Sequence, residues 1–351
     1  MAGSGTNVVR GFGFMLLLLG PLVIVLDRLD VVGELTLFVL ACIALIPISW
    51  LIGEATDNLA RYTGPGIGGF LNATFGNAPE LIIAIVAVAD GLTEIVRASL
   101  VGSIAGNLLL VLGFTLLFGR TGTIDRLSAY ISLGLVAFAA VLVLVAATPG
   151  FHGNPDRRGL AELSLPIAVL LLIVRVVVTR RALRRQRALY SPPEERDGWT
   201  LPTALVVLGV ATVVTALVTE TLVGTLRSFA DHAHLSEFFV AVVIVAIIGN
   251  STEHGSAVLL ARRGRVKLAV EIPLASSAQI AGLLIPLVVL ISWGFEPLAL
   301  SFRPVELIAI ALAAALPALV LRSGKTTRLG GVVLLFAYSA LAVSFYLSGD
   351  R

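Results

Sequence analysis

Apolar runs of about 20 residues, separated by short polar stretches, fill almost the whole of this sequence. A helix needs a run of about that length to cross the hydrocarbon core of a bilayer, which is about 30 Å thick. Hydrophobic residues make up 57% of the 351 residues and charged residues only 13%. A water-soluble domain cannot carry that much apolar surface. The sequence therefore predicts an all-α integral membrane protein.

About eleven transmembrane helices are predicted, because Gly, Pro and charged residues divide the apolar part of the chain into eleven runs. No small-residue cleavage site follows the first run, so it is interpreted as a retained helix rather than a signal peptide. The runs lie near residues 11–26, 33–52, 65–90, 95–118, 127–148, 160–179, 200–220, 235–260, 266–292, 303–321 and 328–348.

The predicted organisation has four parts. A first transmembrane helix with its outer loop precedes two five-helix repeats, and a basic, Pro-containing linker joins the repeats. The corresponding ranges are 1–32 for the first helix, 33–179 for the first repeat, 180–199 for the linker and 200–351 for the second repeat.

The distribution of basic residues predicts the orientation in the membrane. Five arginines between 180 and 187 place the linker in the cytoplasm by the positive-inside rule, and six predicted spans place the N-terminus there too. The basic clusters at 262–267 and 322–328 fall on the same side, whereas Arg157 and Arg158 fall on the other. The compact length and the use of 23 Arg against 2 Lys indicate a prokaryotic plasma membrane.

A short motif occurs twice, once in the third run and once in the eighth. Residues 76–80 and 249–253 both read Gly-Asn-x-x-Glu and are 173 residues apart, and the same offset relates Ser103 to Ser276. In the predicted topology the third run crosses outward and the eighth inward, so the two copies would be related by inversion. An inverted repeat with polar residues near the midplane is typical of alternating-access transporters.

The two glutamates of the motif define the candidate site. A carboxylate inside a bilayer costs roughly 2.5 kcal/mol or more, so Glu80 and Glu253 need a compensating cation. Gly76, Gly249 and Pro79 favour broken helices with free carbonyls. The predicted cation and proton site consists of the metal-binding carboxylates of Glu80 and Glu253 and the neutral groups of Asn77, Asn250, Ser103, Ser276, Ser277 and Gln279.

This set of oxygen donors favours a hard cation. Ca2+ typically takes six to eight oxygen ligands. Zn2+ or Cu2+ would require more His or Cys than the chain has nearby, and the single Cys42 cannot form an intrachain disulfide. When a divalent cation leaves, two buried carboxylates facing each other repel and would take up protons. The hypothesis is therefore exchange of Ca2+ for protons by alternating access.

Other functions remain open at this point. Exchange of Ca2+ for Na+, or of Na+, K+ or Mn2+ for protons, is compatible with two carboxylates. A passive channel could use the same acidic residues, although the repeats argue against it. An intramembrane enzyme would need a pattern such as His-Glu-x-x-His or an activated nucleophile, which the sequence lacks. No cofactor and no nucleic-acid partner are predicted; the expected partners are Ca2+, protons and membrane lipid.

The same residues also have structural interpretations. Asn, Gly and Ser are common at interfaces between membrane helices, and a single buried Glu can simply pair with an Arg. The repetition of the motif favours a functional site over these alternatives. His254 follows Glu253 directly, but adjacent helical residues point about 100° apart, so a proton relay and a plain neighbour are equally compatible.

Besides the repeated motif, a wider set of segments matches a known pattern: residues 76–80, 102–103, 107–113, 249–250, 253–254 and 276–280. These segments resemble the calcium/proton exchanger (CAX) branch of the cation/Ca2+ exchanger superfamily. The resemblance covers nearly the whole chain and implies eleven helices, with a peripheral first helix followed by five-plus-five inverted repeats. It also implies Ca2+ binding at Glu80 and Glu253 and proton-driven exchange.

The chain departs from the family pattern beside the predicted site. Arg97 stands where the family commonly has Gln, and Gly106 precedes Asn107 where the family often has Ser. Arg97 would repel a cation if it faced the pathway. The favoured interpretation is that it pairs with Glu94, three residues earlier, and stays at the membrane interface. Arg97, Asn107 and His254 are therefore candidate modulators of transport.

Overall fold

The computed structural model describes residues 17–151, 154–187 and 198–350, with the backbone alone at 64–70, 72–74 and 182–187. This described part contains twelve helices and one isolated antiparallel bridge. The helices are α1 (Leu19–Leu29), α2 (Glu34–Phe75), α3 (Ala78–Ala89), α4 (Thr93–Phe118), α5 (Arg126–Ala147), α6 (Arg158–Arg187), α7 (Leu201–Ala233), α8 (Glu237–Gly249), α9 (Ser251–Arg262), α10 (Val266–Ser292), α11 (Pro304–Val320) and α12 (Arg328–Ser348).

The helices have the length and composition of membrane spans. Within the described residues, seven are long and apolar enough to cross a bilayer, or eight if the bent pair α8 and α9 is counted as one span. Two others, α3 and α11, are shorter apolar helices. The prediction of an all-α integral membrane protein is confirmed. Residues 11–16 of the first predicted span and residues 188–197 of the predicted linker lie outside the described part.

One predicted boundary is wrong. The runs near 33–52 and 65–90 were expected to be separate helices, but α2 continues without interruption from Glu34 to Phe75. A Gly-Pro-Gly segment at 64–66 lies inside it. The bilayer core offers no water to bond a broken backbone, so membrane helices tolerate Gly and Pro that would end a helix in water. The direction in which the third run crosses the membrane stays a prediction.

The repeat seen in the sequence is also present in the local structure. Helices α3 and α9 each have 12 residues, and α9 begins 173 residues after α3. The same offset separates the first residues of α4 and α10. Both α4 and α10 also contain a π-helical segment near the same relative position, at Gly106–Val111 and Ile280–Leu284. The two halves of the chain therefore fold locally in the same way around the motif.

The chain forms two compact units, and each takes residues from both halves of the sequence. One consists of Met1–Val86 and Arg181–His234, and the other of Ala87–Arg180 and Leu235–Arg351. The predicted division at 33–179 and 200–351 concerns the repeats and stays a prediction.

In the first unit, α2 and α7 pack along each other and α1 packs on both. Phe38 stacks on Phe229 with ring centroids 4.2 Å apart, and the Thr221 hydroxyl donates to the Asp27 carboxylate at 2.7 Å. At the start of α7, the Trp199 amide donates to the buried side chain of Asn58 at 3.0 Å. These contacts stabilise the three-helix packing at several heights.

In the second unit, an irregular segment is buried between α10 and α11. We call residues 298–302 the strap; each of them is fully buried. Irregular backbone at this depth must find hydrogen-bond partners within the protein. The Leu298 amide donates to the Ser292 hydroxyl and the Leu300 amide to the Ser164 hydroxyl, each at 2.9 Å. Two serines on neighbouring helices thus replace the regular backbone bonding that the strap lacks.

Ser164→Ala tests this bonding. Removing the hydroxyl leaves the buried Leu300 amide without its acceptor, so the free energy of unfolding should fall by about 1–3 kcal/mol. Unfolding of the purified protein in mixed detergent and lipid measures the change. Ser344→Ala is the matched control, because the exposed Ser344 hydroxyl bonds only to the Ala340 carbonyl of its own helix. Equal losses for both variants would contradict the role of Ser164.

Candidate cation-binding site

The motif lies at helix breaks in both halves of the chain. Helices α8 and α9 meet at Asn250 with a bend of 58°. The Asn250 side-chain amide donates to the Ala246 carbonyl at 2.9 Å, which satisfies an acceptor in the last turn of α8. In the first half, α2 ends before the Gly76-Asn77 pair and α3 begins after it. The breaks expected from the glycines are therefore present.

Each motif glutamate is the third residue of a short helix that begins after the break. Glu80 has this position in α3 and Glu253 in α9. The unpaired N–H groups and the positive dipole end of a helix stabilise negative charge in its first turn. Each break thus creates a helix N-terminus that can stabilise a carboxylate inside an apolar segment.

A network of buried polar side chains surrounds Glu253 in the second unit. The Asn107 amide group donates to the Asn250 carbonyl oxygen and to the Ser276 hydroxyl, each at 3.1 Å. The Asn250 amide group donates to the Ser103 hydroxyl at 2.8 Å. The Ser276 hydroxyl in turn donates to the Glu253 carboxylate. We call these five side chains the polar network; α4, the α8–α9 break, the first turn of α9 and α10 supply them.

Two oxygen atoms of the polar network are buried without a hydrogen-bond partner among the described residues. They are Oε2 of Glu253 and Oδ1 of Asn107. The hydroxyls of Ser251 and Thr252, in the first turn of α9, are also buried without a hydrogen-bond partner among the described residues. Buried polar atoms are rarely left unpaired in native proteins, and an ion or a water molecule usually accounts for them. The geometry supplies oxygen ligands, one of them a carboxylate, beside the helix break.

Close packing between α4 and α8 brings Ser103 and Asn250 together. A Cβ atom on Gly102 would lie 1.9 Å from the carbonyl oxygen of Val242 and 2.7 Å from the Cβ of Ala246. Val242 belongs to a π-helical segment of α8, Val240–Val245. Such segments are frequent at functional sites. The packing therefore depends on the absence of a side chain at residue 102, next to Ser103.

The remaining predicted site residues differ in their surroundings. Asn77 and Glu80 belong to the first unit, and both are buried there at the start of α3. The Ser277 hydroxyl donates to the Pro273 carbonyl of its own helix at 2.9 Å. Gln279 is half-buried and is not without an interaction partner. His254 is half-buried, and its Nε2 has no hydrogen-bond partner in the described part of the chain.

The sequence prediction for Arg97 is corrected by the structure. Arg97 is buried within the protein, with 1% of its surface exposed. Its guanidinium pairs with Asp156 at 2.7 Å, whereas the Glu94 carboxylate pairs with Arg303 at 3.3 Å. Asp156 belongs to the α5–α6 connection and is 59 residues from Arg97 in sequence. No local pattern relates these two residues, so sequence reasoning could not identify the pair.

Proteins of known sequence match this chain over most of its length. The model of the sodium/calcium exchanger protein family matches residues 34–181 and 203–347. The Ca(2+)/H(+) antiporter ChaA of Bacillus subtilis (strain 168) is 36% identical over 337 residues, covering 91% of this chain and 96% of that protein. The Ca(2+)/H(+) antiporter of Synechocystis sp. (strain ATCC 27184 / PCC 6803 / Kazusa) is 33% identical over 340 residues, covering 90% of this chain and 91% of that protein.

A solved structure also matches this chain over nearly its full length. The structure of native YfkE superposes with a TM-score of 0.81 at 34% sequence identity, covering 95% of this chain and 99% of that chain. This agreement in fold accompanies the agreement in sequence over nearly the full length. The chain therefore belongs to the sodium/calcium exchanger protein family, as a CAX-type member of the cation/Ca2+ exchanger superfamily, and is an ion transporter rather than an enzyme.

Proposed function

We propose that this protein is a secondary active transporter that exchanges Ca2+ for protons by alternating access at Glu80 and Glu253. The relatives named above are Ca(2+)/H(+) antiporters, which supports this choice of ions. The observation that carries the proposal is the buried Oε2 of Glu253, which has no hydrogen-bond partner among the described residues and lies within a network of neutral oxygen donors. A carboxylate in this position requires either a cation or a proton.

Separate roles are proposed for the residues of the predicted site. Glu80 and Glu253 would supply the two negative charges that neutralise one divalent cation. The Asn107 oxygen has no partner in the part of the chain that the structure describes and would be a neutral ligand, whereas its amide group orients Asn250 and Ser276. The Asn250 oxygen has a second lone pair and would remain available to the cation. Asn77, Ser103, Ser277 and Gln279 complete the proposed oxygen set.

Exchange follows from competition for the same carboxylates. A site with both glutamates ionised attracts a divalent cation, and a site with both protonated does not, because the attraction is electrostatic. If the site faces only one side of the membrane at a time, each ion must leave before the other enters. The inverted repeats proposed from sequence would provide the two orientations.

The basic turns support a cytoplasmic location for one end of the second unit. The turn between α9 and α10 and the turn between α4 and α5 line a cavity of about 650 Å3 that contains Arg120, Arg265 and Lys267. The amide of Thr326, in the turn between α11 and α12, donates to the Gly122 carbonyl at 2.9 Å. Three turns that contain basic residues thus meet at one end. By the positive-inside rule this end would face the cytoplasm of a prokaryotic plasma membrane, with the N-terminus also inside.

Ca2+ uptake into proteoliposomes under an imposed pH gradient tests the proposed function. We expect uptake that stops when the gradient is dissipated and that excess Na+ does not restore. The apparent KM for Ca2+ should rise as the pH on the Ca2+ side falls, because protons compete for the same carboxylates. Uptake driven by Na+ instead, or gradient-driven transport of Na+, K+ or Mn2+ without Ca2+, would replace the proposal with the corresponding alternative.

Asn107→Ala tests the proposed ligand set. The change removes two hydrogen bonds of the polar network and one oxygen donor, which together should cost about 1.4 kcal/mol or more. The apparent KM for Ca2+ should therefore rise about tenfold or more. Initial uptake rates over a range of Ca2+ concentrations give this value. Ser339→Ala is the control, since that exposed hydroxyl bonds only to the Leu335 carbonyl of its own helix; an unchanged KM for Asn107→Ala would remove Asn107 from the site.

A further inference from the structure

Arg97 is the largest fully buried side chain in the described part of the chain. A buried guanidinium is costly unless ion pairs and hydrogen bonds satisfy it. Its Nη1 donates to the Asp156 carboxylate at 2.7 Å and to the Ala299 carbonyl of the strap at 3.3 Å. Arg97 therefore joins α4 to the α5–α6 connection and to the segment between α10 and α11.

Glu94, one helical turn earlier, forms a second attachment of α4. Its carboxylate accepts from Arg303 at 3.3 Å. Arg303 also donates to the carbonyls of Ser348 and Gly349 at 2.9 and 2.8 Å, and it lies over the Phe238 ring at 4.3 Å. We call Glu94, Arg97, Asp156 and Arg303 the α4 clamp. It fixes the first turns of α4 to four other segments of the second unit.

The same helix carries two members of the polar network. Ser103 and Asn107 are six and ten residues beyond Arg97, which corresponds to about 9 and 15 Å along the helix axis. Between them and the clamp, Gly102 contacts the backbone of α8 without an intervening side chain. A shift or rotation of α4 would therefore change the hydrogen bonds from Asn107 and to Ser103 directly.

We infer that Arg97 is a positioning residue: its ion pair with Asp156 holds α4 in the register that the polar network requires, and the pair thereby sets the affinity for the transported cation. The inference rests on the proposed function for the identity of that cation. It assigns no role to the charge of Arg97 in the pathway, since the Asp156 carboxylate carries the opposite charge and accepts from Nη1. Nη2 is buried and has no hydrogen-bond partner among the described residues.

The inference and the alternative of a repulsive charge predict opposite changes in the apparent KM of Arg97→Gln for Ca2+. If Arg97 repelled cations in the pathway, Arg97→Gln would lower the apparent KM for Ca2+ and Asp156→Asn would raise it. If the pair positions α4, both variants should raise the apparent KM, by about tenfold to a hundredfold, because small displacements of binding groups have effects of that size. The double variant should be no worse than either single variant, since both remove the same interaction.

The experiment compares Arg97→Gln, Asp156→Asn, their double variant and Arg97→Lys in proteoliposomes. Arg97→Lys keeps the charge and one bond to Asp156, and we expect its KM to stay closer to the wild-type value than that of Arg97→Gln. The control is Arg158→Gln, because the pair between Arg158 and Glu162 is largely exposed. A merely structural role would lower the yield of folded protein and the maximal rate but leave KM unchanged, and that result would overturn the inference.

Hydrogen exchange separates this inference from the proposed function. In reconstituted protein without added Ca2+, the amides of residues 93–107 should exchange faster in Arg97→Gln and Asp156→Asn than in the wild type and in Arg158→Gln. If the wild type fails to take up Ca2+ under a pH gradient, the proposed function fails, and exchange still decides whether the pair fixes α4. Unchanged exchange in both variants, or a lower KM in Arg97→Gln, would overturn the inference.

Discussion

Glu253→Gln should reduce gradient-driven Ca2+ uptake by about a hundredfold or more. Gln has nearly the same shape as Glu but no charge, so only one carboxylate would remain to neutralise a divalent cation. Losing one charged partner of a buried pair typically costs about 3–5 kcal/mol, and each 1.4 kcal/mol corresponds to a factor of ten. Initial rates of uptake into proteoliposomes under a fixed pH gradient measure the effect, and Glu80→Gln should behave in the same way.

Glu162→Gln is the matched control for this prediction. Glu162 is on α6, is largely exposed and pairs with Arg158 one turn away on its own helix. Such surface pairs contribute little, so uptake should stay close to the wild-type rate. Normal uptake by Glu253→Gln or by Glu80→Gln would contradict exchange at two carboxylates, whereas failure of the control would indicate a general loss of folded protein.

Gly102→Ala should produce the second large effect. The added methyl group would overlap the Val242 carbonyl oxygen, and that atom belongs to the backbone and cannot rotate away. Helices α4 and α8 would have to separate, which should lower the free energy of unfolding by about 1–3 kcal/mol. The separation would also lengthen the bond between Asn250 and Ser103, so uptake should fall at least about tenfold. Unfolding and uptake of the same preparation measure the two effects.

Gly134→Ala provides the comparison. Gly134 is also inside a long helix, α5, but a Cβ atom there would meet nothing within 4 Å. Replacing it should preserve uptake, and it should leave stability unchanged or slightly higher because Ala favours the helix. If Gly102→Ala were as active and as stable as Gly134→Ala, the close packing of α4 and α8 would not be required for the site.

Much of the fold could be predicted because membrane helices are specified locally. An apolar run of sufficient length must be helical in a bilayer, since every backbone group has to bond within the segment. The same rule explains why the predicted boundary between the runs near 33–52 and 65–90 was wrong. Gly64 and Pro65 would end a helix in water, but α2 continues through them to Phe75.

The helix breaks around the candidate site were predictable where the chain repeats itself. The shared Gly-Asn-x-x-Glu pattern identified both helix breaks, and the offset of 173 residues recurs in the starts of α3 and α9 and of α4 and α10. The bonds from Asn107 to Asn250 and Ser276 were not predictable. They join residues 143 and 169 positions apart, and no periodicity relates them.

The sequence by itself determined that lipid surrounds most of this protein, that it is all-helical, and that a motif containing a glutamate occurs twice. These properties depend on the length of apolar runs and on local patterns, which can be read along the chain. Only the tertiary structure decided that Arg97 is paired with Asp156 and that Asn107 lies at the centre of the polar network. A charge or an amide has many possible partners in the sequence, and packing alone selects one of them.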